Sequence, residues 1–563
     1  MTFIMDVAVV LLRMLLPIYT IVIVYQCYAS MMRHRRNERP LVLLQDLDTG
    51  IKIPVLFWEN SIGRSRGSDI AVDDPAVSRD HCVLLRRKEG WFISDVGSKT
   101  GTRVNGRRIG KRTQVKINDT ISIGNKEFIF KRGEEFHEKL ETSWFFSKVS
   151  KKPSIKPYKL MMLISFFHIF MAVEATYCQG GKGFFPFVLC GAFLCVEWLF
   201  FAISTFMLRR VSFEIESLCL FLSGIGVMLL ARQSERSAWV QLIAAVIGMI
   251  VFCIIIKFIE DPDRTQKIRF LVMVGAVGLL ALNLVIGKST FGSTNWIQLG
   301  PVTIQPSEFV KVAFIFVGAS TLDYLQTKKN IWEFIIFSAL CVGALALMND
   351  FGTALIFFGT FLLISFMRSG DFKTIILAVA SAVFAGILVL SMKSHVLRRF
   401  ATWRHIWEGE NPFNGGYQQV QTLIDIASGG LFGVGIGNGC LKYIGASETD
   451  LVFGIVSEEM GFIVSVTLAF AIAMLVVYAR SVTTRSRSTF YSISACCAAG
   501  LLVIQMSLNI FGATDILPLT GVTLPFISSG GSSMISCWGL LAFIKAADER
   551  TYARKEKVRK LPQ

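Results

Sequence analysis

Charge is scarce in this chain of 563 residues: only 18% are Asp, Glu, Lys or Arg, where a soluble protein carries about a quarter. That shortfall excludes a wholly soluble enzyme, and it excludes a disordered chain, which needs the opposite composition. The 12 cysteines include no CxxC pair and keep no regular spacing, so neither a disulfide framework nor a zinc site is expected. Most lie in apolar runs, where a free thiol acts as a small hydrophobe. Acidic residues are outnumbered, 41 against 58 Lys and Arg, for a net charge of +17. In a soluble protein such an excess suggests nucleic acid. In a membrane protein it records the enrichment of Lys and Arg on the cytoplasmic side, so the position of the charges decides.

What the chain has instead is apolar length. Hydrophobic residues make up 53% of it, and mean hydropathy is +0.53. Residues 7–28 form one apolar span followed by the basic run MRHRRNER. A cleaved signal peptide carries its basic cluster first, so 1–30 reads as a retained membrane anchor. Residues 41–132 change character to short alternating runs such as WFISDV and EFIFKR, which predicts a small all-β domain. A basic linker, 133–158, follows. From Leu160 the sequence is almost continuously apolar. Its interruptions predict spans near 160–177, 183–206, 215–231, 238–257, 268–287, 307–323, 332–348, 351–367, 373–391, 451–479, 489–512 and 521–545, many near the minimum length for crossing ~30 Å of hydrocarbon.

Charge orients this layout. With the β domain inside, the short cytoplasmic loops and the 548–563 tail hold about 24 Lys and Arg, and the short external loops about 4. The N-terminus is therefore expected outside, the β domain and C-terminus in the cytoplasm, and the long 392–450 loop external. The same asymmetry accounts for much of the +17 and leaves no call for nucleic acid. Loops as long as 392–450 are usually functional.

The β region carries Gly63-Arg64, Ser78-Arg79-Asp80-His81, Asp95-Val96-Gly97-Ser98-Lys99-Thr100-Gly101-Thr102 and Val104-Asn105-Gly106, in that order. A phosphate site needs a guanidinium, a hydroxyl and tightly turned backbone, and Arg64 and Ser78 supply the first two. The ordered set resembles a forkhead-associated (FHA) domain over nearly all of 41–132. The resemblance implies an eleven-stranded β sandwich that reads phosphothreonine at one end. Arg64 and Ser78 would bind the phosphate, Arg79, Lys99 and Thr100 would flank it, and His81 and Asn105 would be structural. Thr100 stands where the family usually has an Asn that grips the ligand backbone.

The apolar half has few polar residues, and each is costly at membrane depth. Glu308 and Lys311 are i,i+3 on one helix face. Met348-Asn349-Asp350-Phe351-Gly352 reads as a polar turn. The 392–450 loop holds Arg398, Arg399 and Arg404, then Tyr417-Gln418-Gln419-Val420-Gln421 and a glycine-rich stretch, and ends at Thr449-Asp450. Either of these last two residues could simply cap the next helix. Pro518 to Ser533, with two prolines and a Ser/Gly cluster that includes Ser528 and Ser529, predicts a broken helix lining a cavity. A carboxylate at the outer surface beside arginines suits glycosyl transfer, which needs a base for a sugar hydroxyl and cations for a departing diphosphate.

The segments WIQLGPVTIQPSEFVK, MNDFGTA, GGYQQVQTLIDIASGGLFGVGIGNG, ETDLVFGIVSEEMG and LPLTGVTLPFISSGGSS together resemble the SEDS family of FtsW, RodA and SpoVE over about 215–547. The fold implied is a multi-pass α-helical membrane protein of ten core transmembrane helices, with about three extra ones (the 1–30 anchor and two in 159–206) and the cytoplasmic all-β FHA sandwich. The activity implied is peptidoglycan glycosyltransfer in the bacterial cytoplasmic membrane, polymerising lipid II for cell-wall biogenesis in division, elongation or sporulation. By position the catalytic aspartate is Asp450. Candidate substrate contacts are Glu308, Lys311, Arg398, Arg399, Arg404, Gln418, Gln421, Ser528 and Ser529. The resemblance fixes no cofactor, and a divalent cation (Mg or Mn) at the diphosphate stays open. The implied partners are lipid II, a class B penicillin-binding protein and a phosphothreonine protein bound by the FHA domain. Asn295 stands where the family usually has Arg. The competing readings are a lipid II flippase and a catalytically silent scaffold, neither of which needs an external base.

The orientation has a direct check. A cysteine placed at Ser394 is expected to react with an impermeant thiol reagent on intact cells, and one at Ser68 is not. The reverse pattern would contradict the assigned topology.

Overall fold

In the computed structural model, alternation and continuous apolarity give two different architectures. It describes residues 2–33, 42–55, 59–65, 68–87, 89–110, 112–132, 156–177, 183–207, 212–290, 293–299, 302–321, 328–369, 394–483 and 489–548, with a few single positions between 376 and 383. Most of the expected 133–158 linker, most of the 373–391 span and nearly all of the basic tail lie outside the described residues.

Helix α1 (Thr2–Arg33) precedes the β domain. Strands β1 (Val42–Asp46), β2 (Lys52–Val55), β3 (Glu59–Gly63), β4 (Ile70–Ala71), β5 (Cys82–Arg87), β6 (Gly90–Asp95), β7 (Thr102–Val104), β8 (Arg107–Arg108), β9 (Arg112–Val115), β10 (Thr120–Ile123) and β11 (Lys126–Arg132) follow. They make a six-stranded sheet ordered β2-β1-β11-β10-β7-β8 and a five-stranded sheet ordered β4-β3-β5-β6-β9. Leu44, Leu84, Ile93, Ile121 and Phe130 are fully buried between the sheets, and Trp91 meets Phe130 edge-on at 5.6 Å. This is the eleven-stranded sandwich expected from the sequence.

The helical half runs α2 (Pro157–Tyr177), α3 (Phe185–Ala202), α4 (Glu214–Leu230), α5 (Glu235–Phe258) and α6 (Pro262–Ile286). A small antiparallel sheet interrupts it, β12 (Lys288–Thr290), β13 (Ser293–Leu299) and β14 (Val302–Ile304). Then come α7 (Pro306–Thr321), α8 (Lys328–Leu347), α9 (Phe351–Ser369), α10 (Ser394–Thr402), α11 (Tyr417–Gly429), α12 (Val452–Met460), α13 (Phe462–Thr483), α14 (Thr489–Ala513) and α15 (Gly531–Ala546). Among the described residues, seven helical stretches are long and apolar enough to cross a membrane: α2, α5, α13, α14, Val9–Met31 of α1, Phe185–Phe206 and Arg264–Ile286. The chain is a multi-pass membrane protein.

The middle of the bundle is formed by short helices. Every residue of α4 is buried, and so is nearly all of α15. Gly248 of α5 has no side chain to fend off Trp538 of α15; a Cβ there would lie 2.9 Å from the indole. Lys545 of α15 is fully buried and pairs with Glu216 of α4 at 2.9 Å, with Ser212 accepting two further bonds. Removing one partner would strand a charge.

Two expected spans differ in form. The 451–479 segment is divided into α12 and α13 at Gly461, whose φ of +92° favours glycine and whose missing Cβ leaves room for the Leu431 carbonyl. The 521–545 segment becomes helical only at Gly531, because Pro518 and Pro525 disfavour helix before it.

Helix α14, 25 residues long, links the β domain to the Asp450 turn. At its first residue the Thr489 N–H donates to the Glu59 carboxylate of the β domain at 2.9 Å. Near its other end Asn509 donates to the Asp450 carbonyl at 2.9 Å. Twenty residues at 1.5 Å each separate them by about 30 Å. The β sandwich and the Asp450 loop therefore lie at opposite ends of the bundle.

Candidate active site

Asp450 lies in the turn before α12. Leu451 holds the cap position of α12 and no side chain caps the helix, so the carboxylate is not used to close the helix end, against the capping alternative read from the sequence. Its backbone is held instead: the Asp450 N–H donates to the Ala446 carbonyl at 2.9 Å, and Asn509 bridges the carbonyls of Asp450 and Val522. Ser528 donates its hydroxyl to the Thr449 carbonyl at 2.6 Å and accepts the Leu524 N–H at 2.8 Å. The Ser529 N–H donates to the Glu448 carbonyl. The Gly521 Cα passes so close that a Cβ would sit 3.4 Å from Asp450 Oδ2.

Burial pushes the Asp450 carboxyl up to about 6. A hydrogen bond from Thr449 and the charge of Arg399 oppose the rise, and the Asp350 charge adds to it. A helix start and nearby arginines favour ionisation; desolvation outweighs them here. The result suits a general base, which works best with a pKa near the working pH.

Asp350 is the second carboxylate of the site. It caps α9 by accepting the Thr353 N–H at 3.1 Å. Its other oxygen accepts from Asn295 at 3.0 Å and from Gln305 at 3.5 Å. The small β12–β14 sheet thus delivers Asn295 and Gln305 to the same place. Among the described residues no group of three or more His, Cys, Asp or Glu is placed to hold a metal ion.

The other expected contacts divide. Arg399, on α10, is the arginine whose charge acts on Asp450, and its guanidinium donates to the Leu519 carbonyl at 3.0 Å. Arg404 lies over the Trp403 ring at 5.3 Å and its backbone meets Asp515. The side chain of Arg398 is outside the described residues. Gln418 donates to the Gly445 carbonyl at 2.8 Å and so braces the loop, and Gln421 is half-buried on α11. Glu308 and Lys311 form no surface pair: both are buried, 2.7 Å apart. Lys311 also donates to Gln505, which donates to Thr523, whose hydroxyl meets Ser533. This network supports the irregular 518–530 backbone from beneath. Ser528 and Ser529 tie that same backbone to the Asp450 turn.

The sandwich presents a second site. A Cβ on Gly63 would strike the Arg79 carbonyl, so only glycine lets β3 deliver Arg64 there. Arg64 is exposed, and its N–H donates to the Ser78 carbonyl at 2.9 Å. The Ser78 N–H donates to His81 Nδ1 at 3.1 Å, and His81 Nε2 faces the Gly101 carbonyl at 3.4 Å. Burial lowers the His81 pKa, which keeps the ring neutral as this pattern requires. Ser78 Oγ accepts the Lys99 N–H at 3.0 Å and keeps its own O–H to donate. Asp95 closes the 95–102 turn by accepting from Gly97, Ser98 and Thr102. Thr100 donates its hydroxyl to the Ala76 carbonyl at 3.1 Å. Asn105 bonds within the domain to Asp119 and Thr120.

The family model for FtsW, RodA and SpoVE, described as a cell cycle protein, matches residues 217–553, and the FHA domain model matches 60–124. The chain belongs to the FtsW/RodA/SpoVE family. Stage V sporulation protein E of Bacillus subtilis is 32% identical over 314 residues, 52% of this chain and 82% of that protein. Peptidoglycan glycosyltransferase RodA of Mycobacterium leprae is 26% identical over 383 residues, 62% of this chain and 81% of that protein. The solved structure of the rod shape determining protein RodA of Thermus thermophilus is 22% identical and covers 61% of this chain and 98% of its own, with a TM-score of 0.45.

Within this FtsW/RodA/SpoVE core, the residues that sequence reasoning missed as parts of the site are Asp350, Gln305 and Asn509. Asp350 had been read as a turn. Its signal was available: a carboxylate at a break between two apolar helices is costly unless something holds it.

The raised pKa sets a pH dependence. A base must be deprotonated, so kcat/KM is expected to fall about tenfold per unit below about pH 6. Asp350→Asn removes a like charge and should move that limb to lower pH. A pH–rate profile with its acid limb near 4 in the unaltered protein would contradict the buried placement of Asp450.

Proposed function

We propose that this chain is a peptidoglycan glycosyltransferase that polymerises lipid II at the outer face of the cytoplasmic membrane, with Asp450 as general base. Asp450 accepts the proton of an acceptor sugar hydroxyl. The freed oxygen attacks the anomeric carbon of the donor, and the bond to undecaprenyl diphosphate breaks with its electron pair on the leaving phosphate. Arg399, whose charge reaches Asp450, would stabilise that charge. The observation that carries this reading is an uncapped carboxylate near pH-matched ionisation, with Arg399 beside it and its backbone fixed on three sides. A flippase or a scaffold has no use for such a group. The external 392–450 loop, the cytoplasmic FHA domain and a class B penicillin-binding protein as transpeptidase partner complete the proposal.

The FHA domain is proposed to recruit a phosphothreonine protein. Arg64 and Arg79 have no side-chain partner among the described residues, and the Ser78 hydroxyl is free to donate beside Arg64. These are the groups a phosphate needs. Thr100 does not replace the usual Asn, because its hydroxyl is already committed to Ala76.

Purified full-length protein in detergent, where flipping cannot contribute, is expected to convert lipid II into glycan strands; no polymer with or without the partner transpeptidase would overturn the enzyme reading. For the FHA site, titration with a phosphothreonine peptide library should show binding that Arg64→Ala abolishes and Thr100→Asn tightens. Equal binding of phosphorylated and unphosphorylated peptides would leave the domain without this role.

A further inference from the structure

Arg13 is the single charged side chain between Val9 and Met31 of α1, in a stretch apolar enough to cross a membrane. A guanidinium there needs a partner. Its Nε donates to Glu174 of α2 at 3.3 Å, and the Glu174 side chain is 1% exposed. Neither helix belongs to the 217–553 family core.

The pair is built onto the glycine-rich turn of that core. A Cβ on Gly435 would collide with the Arg13 guanidinium and lie 2.9 Å from the Asn438 amide. The Ile436 N–H faces the Glu174 carboxylate. Two residues on, a Cβ at Gly437 would lie 3.0 Å from Arg232 Nε. Gly435 and Gly437 hold φ at +105° and +84°, where side chains are disfavoured. Glycine at these two positions therefore lets two arginines press on the turn from outside.

The turn in turn grips the last residues of α12. The Val434 and Gly435 N–H groups donate to the carbonyls of Glu458 and Glu459 at 2.9 Å each. The Glu458 carboxylate accepts the N–H groups of Cys440 at 2.6 Å and Leu441 at 3.1 Å. Helix α12 is only nine residues long, and its far end starts two residues after Asp450. Whatever shifts the turn shifts a rigid rod of about 13 Å that ends at the carboxylate.

We propose that Arg13 is a positioning residue for glycosyl transfer: through Glu174 and the Gly435 turn it fixes the axial placement of α12, and so of Asp450. The N-terminal helix thereby acts as part of the enzyme as well as the tether of the FHA domain. This rests on the reading of Asp450 as the base. Arg13 itself is too distant to touch the reacting atoms, so its loss acts on turnover more than on substrate binding. Misplacement by about 1 Å can cost up to ~10²-fold in rate.

The test uses full-length protein in detergent with lipid II, measuring kcat, KM and the thermal unfolding midpoint. Arg13→Ala and the isosteric Glu174→Gln are each expected to lower kcat about tenfold with KM changed less than about twofold. Because the two act through one contact, the double variant should be no slower than the slower single one. The exchange Arg13→Glu with Glu174→Arg should recover part of the rate. Wild-type kcat in folded Glu174→Gln or Arg13→Ala, or losses that multiply in the double variant, would overturn the proposal. Asp450→Asn run alongside separates the two readings: near-wild-type turnover in it overturns the base assignment and this proposal together, whereas an inactive Asp450→Asn beside a fully active Arg13→Ala overturns this proposal alone.

Discussion

Buried backbone that leaves the helix must find its hydrogen bonds within the protein, and this constraint organises the helical half of the molecule. Two segments break helical order side by side: the turn 446–451 before α12 and the 514–530 stretch before α15. Each supplies what the other lacks. Asn509 closes the carbonyls of Asp450 and Val522 with one amide, and Ser528 closes the Thr449 carbonyl while taking the Leu524 N–H. The same bonds that make irregular backbone tolerable also immobilise the carboxylate. On the proposed role of Asp450, stability and catalytic preorganisation are one arrangement, and the buried Glu308–Lys311–Gln505–Thr523 network extends it downward.

The two functional ends are separated by the length of α14. Its first residue touches the FHA sandwich through Glu59, which Arg87 also holds at 2.8 Å, and its far end holds the Asp450 turn. The proposed phosphothreonine site occupies loops around Arg64, at the opposite end of β3 from Glu59. A bound phosphoprotein would therefore lie clear of the contact with the membrane half. This arrangement suits the proposed recruitment: the domain would bring a partner to the membrane with Asp450 about 30 Å away.

Much of this was legible in the sequence, and the reasons differ by element. The sandwich declared itself through period-two alternation and ordered turn motifs, because each loop at the phosphate end needs a specific glycine, hydroxyl or carboxamide. Asp450 stood out through the resemblance, because the segment ETDLVFGIVSEEMG marks its position; as a lone carboxylate before a helix it read equally well as a cap. Asp350, Gln305 and Asn509 did not stand out, because 295, 305, 350, 450 and 509 are far apart in the chain and meet only when five connections converge. The raised Asp450 pKa was hidden for a related reason: helix start and arginines are visible in sequence, while desolvation depends on what packs around the group. The setting of Arg13 in the anchor helix shows only in the fold, where Glu174 and Gly435 lie beside it.

The central claim is that Asp450 acts as a base and does not merely complete a fold. The measurement that tests it most directly is lipid II polymerisation by Asp450→Asn and Asp450→Glu at matched levels of folded protein. Asn keeps the shape and the backbone bonds that Asn509 and Ser528 make to this turn, so the protein is expected to insert and unfold like the wild type. Its rate should fall about 10²–10⁴-fold, the usual cost of a lost acid–base group, and Glu should retain a small part of the activity. An Asn variant polymerising at near the wild-type rate would contradict the account.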